Sequence, residues 1–304
     1  MAAQNQVRWI IPSTANEWDT LAVAYGVTTR SLKSCKNLVS GSRVTREQYL
    51  LFRTLYPDPS TFFTPALYGL TADMQTARGM LTACPQFQAY LNAIPNHQWN
   101  DPQIGRFFNT LHHQWLVAAA GTPGCEAWPA VDEAMVNPPL IEFLNALSVL
   151  RTDQRRCWTL RHSVLRAQFY GRERSYVACT DGQLIDYPTQ ELKALVECKK
   201  SDRDSSSGRR TVMQEIAELV AWIKACPDPR APASNHLRAL ISQDRTRLFI
   251  SFLSYSPEWA SYIKGGSIAN AGLATYQTFG PWNTQDPADV LEFAVIALAI
   301  MLHS

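Results

Sequence analysis

The segment from Ala194 to Ser254 constrains the fold most. It sets the β-rich run ALVECKK before a long helical pattern, RRTVMQEIAELVAWIKAC, and follows that with two more β-rich runs, LRALISQD and TRLFISFLS. Val212, Ile216, Leu219, Val220 and Ile223 fall on one helical face. A strand, an amphipathic helix and two further strands bury their apolar faces by laying the helix on a sheet. The expected class is therefore α/β or α+β, with helices packed on a mixed sheet.

Upstream, PLIEFLNALSVL reads as a helix, and RSYVACTDGQLIDYP reads as two strands around Asp181-Gly182, the pair favoured at a tight hairpin turn. SDRDSSSGRR is expected to be a polar loop. Downstream, SPEWASYIK reads as a helix, and FAVIALAIML as a buried final helix started by DPAD. Before Gly121 the signals are helical: TANEWDTLAVAYGV, TREQYLLFRTLY, TADMQTARGMLTAC and NDPQIGRFFNTLHHQWLVAAA. GTPGCEAWP, rich in Gly and Pro, is the expected boundary between an all-helical region, 1–120, and a second domain, 121–304.

With 304 residues, 46% of them apolar, the chain can bury a substantial core, which excludes a disordered protein. The net charge of +2 neither requires nor excludes a polyanionic partner. Seven cysteines without C-x-x-C pairs suit a reducing, intracellular setting, in nucleus or cytoplasm, better than a disulfide framework. The N-terminus lacks the apolar core of a signal peptide, and the longest apolar run is too short to span a bilayer, so no membrane partner is expected.

The candidate chemistry lies in LIDYPTQELKALVECKK. Side chains alternate along a strand, so Glu197 and Lys199 share one face of ALVECK. Asp186, set within the apolar run Leu-Ile-Asp-Tyr on the preceding strand, is expected to approach Glu197 and to hold a divalent metal with it. Lys199 would then orient or stabilise an attacking water. Asp181, five residues before Asp186, is explained by the hairpin tip and is read as a turn residue, as are Asp244 and Arg245. Taken alone, E-x-K reads first as a salt-bridged surface. His112 and His113 lack zinc-motif spacing and read as structural, as Trp222 and Trp259 read as core.

The order of Asp186, Glu197-x-Lys199 and a helix carrying Gln214, inside helix, three strands, helix, strand, resembles the PD-(D/E)XK nuclease superfamily. GCEAWPAV, PLIEFLNAL, LIDY, VECKK, VMQEIAELVAWI, LISQDR and FGPWNTQD resemble, more narrowly, fungal proteins with nuclease-like domains of that superfamily. The resemblance spans roughly Gly124 to the C-terminus and implies a restriction-endonuclease-like mixed β-sheet core flanked by helices. It implies a phosphodiesterase using Mg2+ or Mn2+, with Asp186, Glu197 and Glu126 as metal ligands, Lys199 activating water and Gln214 beside them. The Pro expected before the Asp is absent, and Trp128-Pro129 stands where a Trp-Asn pair is the pattern.

Arg155, Arg156, Arg161 and Arg166 open a basic stretch that suits nucleic-acid phosphates. The competing expectations are an inactive nuclease-like binding protein, or a small-molecule enzyme of fungal specialised metabolism that reuses the fold. Within 15–40, EWDTLAVAYGVTTRSLKSCKNL reads as two short helices joined at Gly26; it resembles both a helix-turn-helix and a LysM motif. Oligomeric state is not legible.

Overall fold

A computed structural model describes residues 8–98, 100–105, 108, 110–120, 132–151, 155–171, 173–203, 208–226, 238–269 and 271–303. The chain opens with α1 (Ala15–Ala24), α2 (Arg46–Leu51) and a two-residue strand, β1 (Thr54–Leu55). Then come α3 (Thr71–Thr82), α4 (Pro85–Ala93), α5 (Leu111–Ala119) and α6 (Glu133–Ser148). The strands β2 (Arg156–Thr159), β3 (Val164–Tyr170), β4 (Arg174–Cys179), β5 (Gly182–Asp186) and β6 (Glu191–Lys199) follow. After α7 (Gly208–Ala225) the chain runs through β7 (Arg238–Asp244), β8 (Arg247–Ser254), α8 (Pro257–Ile263), β9 (Ala274–Asn283) and α9 (Pro287–Leu302).

Seven strands form one mixed sheet in the order β1-β9-β8-β7-β6-β5-β2, and β3 with β4 forms a separate hairpin. β6 and β7 are parallel, joined through α7, while β2, β5 and β6 make an antiparallel meander. Alternation along β6 explains the layers: Ala194, Val196 and Cys198 enter one apolar cluster, Leu195 the other. The first cluster lies under α3, α4, α5, α6 and α9; the second under α1, α2, α7, α8 and the β3–β4 hairpin. The expected mixed sheet flanked by helices is present. Trp222 and Trp259 are fully buried, as expected.

Four local expectations are corrected. After α1, residues 27–40 form turns rather than a second helix, so neither the helix-turn-helix nor the two-helix LysM geometry is formed. Gly26, at φ +62, turns the chain out of α1, and Val27 N–H returns to Ala22 O at 2.8 Å. Second, the region before 120 carries β1, paired in parallel with β9, and contributes to both apolar clusters, so it shares the core of the remainder. Third, β4 pairs with β3 rather than with β5, so Asp181-Gly182 is no hairpin tip. Gly182 is required by close packing instead, since a Cβ there would meet Ile141 Cδ1 at 2.7 Å and Thr159 O at 2.9 Å. Fourth, Arg203, in the loop expected to stay in water, is buried in an ionic network.

From Phe293 to Met301 α9 is apolar all round and buried, and Asp286 caps the helix, accepting from Ala288 N at 2.8 Å. Among the described residues no helix is long and apolar enough to cross a membrane.

Candidate metal centre

Carboxylates converge where β6 ends, but not the pair that the strand order suggested. The β5–β6 turn occupies 187–190, so Asp186 faces Glu191 and Gly182 faces Val196. Glu197 lies six residues from Glu191, about 20 Å along the strand. Asp186 is therefore corrected from ligand to turn residue: its Oδ1 accepts from Thr189 N at 3.2 Å and Thr189 Oγ1 at 3.0 Å, and Arg155 Nη2 lies 3.5 Å from Oδ2. Burial would raise its pKa, but the Thr189 bonds and Arg155 outweigh that and hold it low.

Asp181 takes the place expected of Asp186. Its N–H donates to Val196 O at 3.0 Å, its Oδ2 accepts from Cys198 N at 2.8 Å, and its carbonyl accepts from Asn137 Nδ2 at 2.9 Å. β6 and α6 thus clamp it beside Glu197. The antiparallel register was the available signal: counting back from a turn at 187–190 sets position 197 near 181.

Glu133, the first residue of α6, supplies a third carboxylate. One carboxylate oxygen from each of Glu133, Asp181 and Glu197 lies within 4.8 Å of the others. Sequence reasoning missed Glu133, whose signal was its place in the first helical turn after the N-cap Asp132. Glu126, the acid expected at this helix, lies outside the described residues.

Lys199 bridges the cluster. Its Nζ donates to Glu133 Oε1 at 2.8 Å and to Glu197 Oε1. Gln214, on α7, donates to the same Glu197 oxygen at 2.5 Å and to Glu218 Oε1 at 2.9 Å. The expected grouping of Glu197, Lys199 and Gln214 is thus present. Glu197 is 1% exposed, and its Oε2 is buried with no hydrogen-bond partner.

Electrostatics follow from burial and charge count. Three carboxylates surround one ammonium, which leaves an excess of negative charge around the buried Glu197, while Glu133 keeps contact with water. Desolvation raises the pKa of Glu197, more than Lys199 lowers it, and desolvation likewise raises Asp181. Glu218, buried beside Glu197, is pushed well above the carboxylate range. For Lys199 burial pulls downward, but Glu197 and Glu133 overcome it and hold the pKa above its ordinary value. Lys199 is therefore a persistent cation.

These residues fit a divalent cation on three grounds. All donors are hard oxygens, and separations up to 4.8 Å can be spanned by one ion at about 2.0–2.6 Å from each. The unpartnered Glu197 Oε2 leaves a buried acceptor to be satisfied.

The basic stretch divides. Arg155 and Arg161 are exposed, and Arg166 points outward from β3. Arg156 is corrected: it is buried and donates to Met301 O at 2.7 Å and to His303 O, neutralising the C-terminal end of α9. Asp244 and Arg245 close the β7–β8 turn, with Asp244 buried against Arg203. Comparison of the chain with models of known protein families, with curated proteins and with solved structures finds no match.

Proposed function

We propose that the protein is a metal-dependent phosphodiesterase acting on nucleic acid, with Asp181, Glu197 and Glu133 holding Mg2+ or Mn2+. The observation that carries this reading is the convergence of three carboxylates and Lys199 around a buried, unpartnered Glu197 oxygen. With the β3–β4 hairpin inserted between β2 and β5, the order α6, β2, β5, β6, α7, β7 in the main sheet, antiparallel pairs followed by a parallel strand, supports the PD-(D/E)XK resemblance. So does Gln214 on the helix after E-x-K. Six described free cysteines are compatible with an intracellular setting.

A divalent cation held here supplies Lewis acidity and offsets charge on a phosphate. The chain's own groups do the rest. Lys199, protonated at neutral pH, cannot accept a proton, so its task is to orient a nucleophilic water and stabilise developing negative charge. Gln214 fixes the Glu197 carboxylate by donating to Oε1, which leaves Oε2 for the ion. Burial favours the neutral form of Glu218, which lessens the charge that a second acid brings beside Glu197.

The test is cleavage of plasmid and single-stranded DNA and of RNA with Mg2+ or Mn2+. Metal-dependent cleavage is expected, falling by about 100-fold or more in Lys199→Ala and Asp181→Asn. Absence of cleavage with every metal, or full activity in Lys199→Ala, would overturn the reading.

A further inference from the structure

The β3–β4 hairpin presents one face to α7 and the other to solvent. Leu165, Ala167, Phe169, Tyr176 and Ala178 are buried in the α7-side cluster. The intervening positions Val164, Arg166, Gln168 and Tyr170 are exposed, Val164 at 66% and Tyr170 at 59%. Opposite them on β4, Ser175, Val177 and Cys179 complete the outer face, and none of these seven residues is acidic.

The hairpin is anchored at the metal centre. Thr180, the residue before Asp181, donates from its N–H to Ser163 O at 3.2 Å, and its carbonyl pairs with His162 Nδ1 at 2.7 Å. From there to Tyr170 the outer row extends about 20 Å. Arg161 and His162 are exposed at its near end. At its far end, Arg174 lies 5.0 Å and Lys33 5.9 Å from the centroid of the Tyr170 ring. Positive charge therefore flanks an exposed ring, with an arginine between that ring and the carboxylates.

We propose that this outer face is a binding track for a single strand of nucleic acid leading to the metal centre, a proposal that rests on the phosphodiesterase reading. Cations meet the phosphates, and Tyr170 offers a stacking surface to an unpaired base. Outer residues two apart stand about 6.8 Å from one another, a spacing suited to successive nucleotides of an extended strand. A duplex, whose bases are already stacked, has no use for the ring.

The test measures fluorescence anisotropy of a labelled oligothymidylate about six nucleotides long, without divalent metal, against the full chain. Tyr170→Ala and Arg166→Glu are each expected to weaken binding about tenfold, with Tyr170→Phe retaining it. Both side chains point outward, and melting curves verify that the variants fold. Unchanged binding in Tyr170→Ala and Arg166→Glu, or a duplex bound as tightly as the single strand, would overturn the track. So would displacement of the oligonucleotide by polyglutamate of equal charge, which would assign the face to acidic peptides. Hydrolysis of bis(4-nitrophenyl) phosphate by the unmodified protein with Mn2+ is a separate readout, because that molecule is too small to reach the hairpin. Hydrolysis without the binding effects sinks the track alone; the binding effects without hydrolysis uphold the track and sink the enzyme.

Discussion

Two charge clusters lie side by side on the α7 face of the sheet, one buried around Arg203 and one half-buried around Lys199, and they differ in charge balance. Around Arg203 one guanidinium meets two carboxylates: it donates to both oxygens of Glu215, to Asp244 Oδ2 at 2.7 Å and to Ser242 Oγ at 2.5 Å, while Asp244 Oδ1 is left without a donor. Tyr276 donates to Glu215 Oε2 at 2.9 Å, and Arg203 lies 4.2 Å over the Phe249 ring. Around Lys199 one ammonium faces three carboxylates, and Glu197 Oε2 is left without a donor. The first arrangement ties β7, β9 and α7 to the loop after β6. The second leaves the larger excess of negative charge, three carboxylates to one ammonium.

The largest difference is expected in stability. Arg203→Met strands two buried carboxylates and should cost about 3–5 kcal/mol in chemical denaturation. Asp181→Asn and Glu133→Gln remove charge from a cluster that has too much of it, so each should be near neutral or mildly stabilising in metal-free buffer. Comparable losses in both clusters would erase the distinction.

Metal supplies the next contrast. Mn2+ at about 100 times its Kd should stabilise the wild type by roughly 2.7 kcal/mol, and Glu197→Gln should abolish that shift. Arg203→Lys, where it folds, should keep it, because Glu215 and Asp244 lie outside the group of converging carboxylates. Titration calorimetry with Mn2+ checks the same point: undiminished affinity in Glu197→Gln would remove the Lys199 cluster from consideration as a site.

The two clusters were unequally legible. E-x-K, the α7 pattern and the strands around it were readable because alternation and helical spacing coincide with what those residues bury: Leu195 one way, Val196 and Cys198 the other. Asp186 was misplaced because strand order alone carries no register; the turn at 187–190 sets it at the wrong end of β6. Asp181 was masked by a rule of local chemistry, since Asp-Gly marks hairpin turns, whereas Gly182 answers to a close approach by Ile141. Arg203 was hidden in a run of polar residues whose composition says loop, while its partners Glu215 and Asp244 lie 12 and 41 positions away. β3 shows regular alternation, but Arg166 and the arginines on either side of the strand draw attention to charge rather than to the inward Leu165, Ala167 and Phe169. Long-range partners decide the charged residues, and one-dimensional periodicity does not encode them.

A pH experiment sharpens the reading of the Arg203 cluster. Asp244 has its pKa raised from 3.8 to about 6, because burial exceeds the pull of Arg203. A carboxyl raised on folding contributes stability that is complete below its unfolded pKa and is lost as pH climbs through the folded one. Relative to Asp244→Asn, the wild type should therefore lose stability between about pH 4 and pH 6 and run parallel above that. Denaturation midpoints across this window measure it; a wild type that gains on the variant over the same range would reverse the assignment.

The smallest effect separates the two ends of the β5–β6 hairpin. Asp186 and Asp181 flank the same short strand, yet only Asp181 reaches Glu197 and Glu133. Asp186→Asn should leave Mn2+ affinity unchanged and lower the melting temperature slightly, because the amide keeps an acceptor for Thr189 while the Arg155 pair loses its charge. Asp181→Asn should do the opposite, weakening Mn2+ binding with little change in melting. Calorimetry and melting on both variants settle which end of the hairpin carries the chemistry. A loss of Mn2+ affinity in Asp186→Asn would return the ligand to the end of β5 and leave Asp181 as a clamp between β6 and α6.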